Sequence, residues 1–173
     1  MQAVNAFTFS KSVDRARYLQ KPPSAIVRGG KSVFGAYDGP ITNLNIDEAY
    51  RPLDLPLPRF LNNLRIKEWE AYEVSFDEGF ICGAIYDLGA AVFNVLMFYD
   101  AEKKTVTAKQ IFGYPRKCVN NSLINSVNSL KTGKFETRIE NRFENGSVFI
   151  KADYIPNSAK EIPMSVDLKF TNE

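Results

Sequence analysis

The sequence predicts an all-β domain, an antiparallel meander that either closes into a barrel or stays a strongly curved sheet, entered through an irregular N-terminal arm. Three observations carry this. From residue 67 onward, apolar and polar residues alternate with period two, the signature of half-buried strands. Aromatic residues reach 13%, with 13 Phe and 8 Tyr, and these favour strands over helices. The alternating runs follow one another through short turn-forming connections, which favours antiparallel pairing of neighbours and leaves no βαβ alternation.

Residues 1–35 form the arm. They carry Lys11, Arg15, Arg17, Lys21, Arg28 and Lys31 against Asp14 alone, and Pro22-Pro23 and Gly29-Gly30 interrupt them. The arm reads either as a wrap around the domain or as a contact for an anionic surface. Residues 36–173 make up the β domain, one folding unit with the arm. Asp38-Gly39-Pro40 marks a turn, with Asn43 and Asn45 able to bond their own backbone. Pro52, Pro56 and Pro58 make residues 51–58 an extended connector.

Tyr72, Val74 and Phe76 alternate with Glu73 and Ser75 in a first strand, and Asp77-Glu78-Gly79 turns the chain. Residues 80–86 and 91–99 are the next two strands, separated by Asp87-Leu88-Gly89. A charged loop, residues 100–104, leads to a fourth strand at 105–114. Residues 115–132 read as a loop with one helical turn, because Asn120, Asn121, Asn125 and Asn128 compete for backbone hydrogen bonds. Alternation returns at 135–143, 148–154 and 162–170, with Asn145-Gly146 as a hairpin signal.

The strands differ in their second face. Those from 135 onward have one polar face for water. The second and third strands are apolar on both faces, so the outer one calls for cover by the arm, a loop or a partner domain.

Composition removes several functions. The net charge is +2, which does not fit a strongly electrostatic nucleic-acid binder. Histidine is absent, which removes Ser-His-Asp and Cys-His catalysis and every zinc site built on imidazole. Cys82 and Cys118 are two isolated cysteines, as expected of a reduced, cytoplasmic compartment rather than a disulfide scaffold. No apolar leader follows a basic start. Asp87, in the middle of the apolar run 80–99, argues against a membrane helix. No nucleotide-binding, CxxC or EF-hand motif is present, so neither cofactor nor metal is expected.

Tyr37-Asp38-Gly39-Pro40-Ile41 with Leu44-Asn45, then residues 65–72 around Trp69, then Ile85-Tyr86-Asp87-Leu88-Gly89, resemble the start of a bacterial family similar to the tandem lipocalin-like proteins. Those include the AttH-like proteins and the carotenoid 1,2-hydratases. The resemblance covers residues 30–170 and implies an arm, a β-meander barrel, and a second barrel packed against the first. It implies no catalytic residue here. The family pattern continues beyond the point where this sequence ends, so a fragment or shortened member of a two-barrel protein is expected.

Two chemistries stay open. Trp69, Tyr72, Phe80, Tyr86, Phe98 and Phe112 are the candidate ligand-binding residues, lining an interior that holds one apolar molecule, a lipid or terpenoid. The same aromatics, with Phe93, also serve simply as core. Asp38, Glu68, Glu70, Glu73 and Asp87 are the carboxylates near apolar segments, and one of them, buried, could protonate an alkene in a hydratase-type reaction. Equally, Asp38 and Asp87 are turn formers, and Glu70 and Glu73 a solvated strand face. The leading expectation is non-catalytic binding of a hydrophobic small molecule. The alternatives are the hydratase and a structural half that packs against a second barrel or a second copy.

Overall fold

The computed structural model describes residues 19–50 and 55–171. The basic residues at 11–17 and the first proline of the connector lie outside them. All-β and antiparallel is what the structure shows. The form is two separate four-stranded sheets facing each other, with no closed barrel.

The described part of the arm holds a two-strand hairpin, β1 (Val27–Arg28) and β2 (Lys31–Ser32). Asn45 acts as a third strand for it: its side chain accepts from Val27 N–H and donates to the Val27 carbonyl, both at 3.0 Å. A 3₁₀ turn at Ile46–Glu48 follows. A short helix, α1 (Arg59–Arg65), starts directly after Pro58, where the fixed φ of proline suits a helix entry. The sequence pattern did not mark this helix, because two turns are too few to show a helical period.

The first sheet is a meander of β3 (Glu68–Phe76), β4 (Gly79–Asp87), β5 (Val92–Asp100) and β6 (Thr105–Gly113). Its turns are chemically specified. At Gly79, φ is 151° and an added Cβ would lie 1.8 Å from the Tyr99 carbonyl oxygen, so only glycine fits. At the next turn the Asp87 carboxylate accepts from Gly89 N–H at 2.9 Å.

The second sheet is β7 (Val127–Thr132), β8 (Phe135–Arg142), β9 (Ser147–Tyr154) and β10 (Met164–Thr171), again paired in chain order. The β7 strand replaces the helical turn expected within 115–132. Its inward residues are Asn128, Leu130 and Thr132, so two polar side chains break the apolar alternation that marks the other strands.

The core lies between the sheets. Tyr72, Ile85, Val92 and Leu96 from the first meet Leu130, Phe135, Ile139, Ile150, Ala152 and Val166 from the second. Asn94 is fully buried among them, and its Nδ2 donates to the Leu130 carbonyl (2.9 Å), Thr132 Oγ1 (3.1 Å) and the Phe135 carbonyl (3.2 Å). One inward amide thus ties β5 to β7 and β8.

The outer faces are opposites. On the second sheet, Lys131 pairs with Glu136 and Arg138 with Glu140 on a charged, water-facing surface. On the first, Trp69, Tyr86, Phe93 and Phe112 stand in register across all four strands. Their ring centroids are 6.3, 4.2 and 5.1 Å apart in sequence along the row. Ala71, Ala84 and Val95, then Phe80, Tyr99 and Val106, extend the same face. No described segment covers it: Trp69, Val106 and Phe112 are 58–63% exposed.

Candidate functional site: a cleft at the β3 end of the sandwich

Where β3 begins, the sheets part and loops close the gap. Glu68 and Glu70 share the inward parity of Tyr72, so both point between the sheets. Opposite them stand Asn128 of β7 and Asn141 of β8, and the segment 119–126 and the arm supply the walls. The resulting cleft has a volume of about 320 Å³, with apolar walls from Ile26, Leu44, Ile46, Trp69, Val119 and Leu123. Glu70, Asn128, Asn141 and Ser126 form its polar end.

The polar end is held rigidly. Both oxygens of the Glu70 carboxylate accept amide N–H groups, one from Asn128 and one from Asn141. The amide orientation of Asn128 is fixed from behind, since its Oδ1 accepts Asn120 N–H at 2.6 Å. Asn141 is fixed by its backbone, whose N–H donates to the Ser126 carbonyl at 2.8 Å. Three segments distant in sequence converge on one carboxylate.

A wider polar hollow of about 790 Å³ adjoins the cleft and shares Glu68, Val119 and Asn120 with it. Asp47, Asp87, Arg116, Lys117 and Cys118 line it, and Lys117 pairs with Glu68. Burial pushes the Cys118 thiol up to about 11, which keeps it protonated and unreactive near neutral pH. Among the described residues no cluster of ligating side chains could hold a metal ion.

The six aromatics named from sequence fall in three places. Trp69 stands at the cleft rim and also ends the outer aromatic row. Tyr86 and Phe112 continue that row, and Phe80 stacks on Tyr99 at 5.3 Å on the same outer face. Tyr72 is in the core, where burial holds its phenol well above the usual tyrosine range. Phe98 lines a separate gap of about 240 Å³ at the far end of the sandwich, with Ile81 and Met164. They do not form one site. Between the sheets the space is filled instead by buried side chains such as Phe135, Ile85 and Leu96.

The carboxylates sort as clearly. Asp38 pairs with Lys21 at 2.9 Å, Glu68 with Lys117, and Asp87 caps its turn. Glu73 is exposed on the outer face of β3. Glu70 alone among the five meets the cleft without an ammonium partner. The two residues read together as a solvated face, Glu70 and Glu73, are three apart and therefore point to opposite sides of the sheet. That parity was available in the sequence, as was Asn141 within the inward series of Phe135, Thr137 and Ile139. Leu44, Val119 and Leu123 carried no such signal, because they lie in aperiodic segments.

No family model, curated protein or solved structure matches the chain. No helix among the described residues is long and apolar enough to cross a membrane.

Proposed function

We propose that this domain binds an apolar small molecule, a lipid or terpenoid, without chemistry, in the cleft between Trp69, Leu44 and Leu123. The observation that carries the proposal is a cleft of about 320 Å³ with apolar side chains from Ile26, Leu44, Ile46, Val119 and Leu123 and a carboxylate, Glu70, held between Asn128 and Asn141. The lipocalin-like resemblance points the same way, and two free thiols suit a reducing cytoplasm. The geometry favours binding over a hydratase. A general acid must present a proton to its substrate, whereas both Glu70 oxygens are engaged as acceptors. Native mass spectrometry of the purified chain tests the proposal. A co-purified lipid or terpenoid is expected, displaced in Leu123→Arg, which fills the cleft from an exposed position. A bare mass for the wild type, with no uptake of added apolar ligand, would overturn it.

The outer face of the first sheet supports a second role, as the half of a structure that packs against another β domain. With four strands of nine residues, that face spans roughly 19 by 30 Å. Covering it with a second sheet removes on the order of 1,100 Å² of total surface, near the lower end of specific interfaces. The aromatic rings of the row stack on one another and present their edges outward. An apolar sheet suits such a surface better than a stacked base or sugar does.

A further inference from the structure

Three charged side chains line the apolar cleft: Lys67, Glu68 and Glu70. Two are already matched. Lys67 Nζ donates to the carbonyls of Leu64 (2.8 Å) and Leu88, and Glu68 is paired with Lys117. Glu70 receives only neutral amides, from Asn128 and Asn141. No lysine or arginine among the described residues forms an ion pair with it. A carboxylate turned towards apolar walls with no cation beside it is electrostatically incomplete. The two amides fix its direction, yet each oxygen has a second lone pair left for a further donor.

We propose that Glu70 is the head-group selector of this cleft, and that the ligand is a cationic amphiphile whose protonated amine pairs with Glu70 while its apolar body lies along Leu44, Leu123 and Trp69. This rests on the reading of the cleft as an apolar-ligand site and adds the charge of the ligand to it. An ammonium in that place completes the Lys–Glu pattern already used by Glu68. A fatty acid would instead bring a second carboxylate against Glu70, and like charges in a partly dry site repel.

The test compares three probes with the same apolar body, decylamine, 1-decanol and decanoate, by calorimetric titration of the full chain at pH 7 below their aggregation concentrations. The amine is expected to bind about tenfold tighter than the alcohol, as a charge-assisted hydrogen bond does over a neutral one, and decanoate weakest of the three. Glu70→Gln should erase the preference for the amine over the alcohol. The wild-type ranking needs no variant, so the proposal stays testable if Glu70→Gln does not fold. Equal binding of all three probes, or preference for decanoate, overturns the head-group assignment and leaves the apolar cleft standing. Absence of binding by all three overturns both.

Discussion

The ring of Tyr72 lies flat against Gly83 on the neighbouring strand, so that a Cβ built on Gly83 would stand 2.3 Å from the phenol oxygen and 2.4 Å from the carbon bearing it. The glycine is a seat for the ring. Gly83→Ala therefore forces a buried aromatic out of its place, and overpacking of this kind destabilises by about 1–3 kcal/mol. Urea unfolding should show a lower midpoint with an unchanged slope. A wild-type midpoint would mean the ring moves aside freely.

The same ring supplies an opposite prediction. The Tyr72 hydroxyl is buried and takes no hydrogen bond from any described residue. Tyr72→Phe keeps the seat on Gly83 and removes a desolvated polar group, so it should stabilise by about 1 kcal/mol. Thermal melts of the two variants side by side decide it, since they must move in opposite directions.

Asn94 holds the sheets together through the two N–H bonds of its amide, shared among the Leu130 carbonyl, Thr132 Oγ1 and the Phe135 carbonyl, which a hydrophobic side chain cannot replace. Asn94→Ala leaves two carbonyls and a hydroxyl buried without their donor and opens a cavity, for a loss of about 2–4 kcal/mol. Native-state hydrogen exchange should then show protection falling in β5 and β7 together. A loss confined to β5 would refute the role of Asn94 as the inter-sheet tie.

Alkaline pH should weaken the fold. Burial raises the Cys118 thiol from 9.0 to about 11, and burial raises Cys82 as well. The folded chain thus keeps protons that the unfolded chain releases. The associated stability is fully present below pH 9 and is lost as pH rises towards 11. Each such group contributes a slope of up to about 1.4 kcal/mol per pH unit. Unfolding midpoints measured from pH 7 upward should fall through that window, and Cys118→Ala should flatten the fall. An identical slope in the variant would remove Cys118 as its cause.

The outer aromatic row should matter for association and little for folding. Phe93→Lys places a charge in the middle of the apolar face without touching the core. Sedimentation velocity should show concentration-dependent association of the wild type and none in the variant, with melting temperatures within a few degrees of each other. Monomeric wild type at high concentration would argue that the face is covered within the chain.

The strands were legible where alternation is clean. Residues 68–76 and 135–142 read correctly because Tyr72, Val74 and Ile139, Phe135 recur at every second position. The strand at 127–132 was hidden by Asn128 and Thr132, polar residues whose partners lie in other strands and so leave no local trace. The cleft was hidden for a related reason. Leu44, Val119 and Leu123 sit in loops, and only folding brings them to Glu70. The two-sided apolar character of β4 and β5, by contrast, was fully visible, and the uncovered outer face is its structural expression.

Among the described residues, every sheet ladder joins strands adjacent in the chain, and no strand crosses from one meander to the other. The only covalent link between the two sheets is the stretch from Tyr114 to Ser126. A single cut near Leu123 would therefore break no ladder, and would leave two hairpin stacks held together by their inner side chains and by contacts such as Arg116 with the Lys131 carbonyl and Asn120 N–H with Asn128. The domain is in this sense a tethered heterodimer, and its two halves are natural candidates for a split reporter that reassembles on contact.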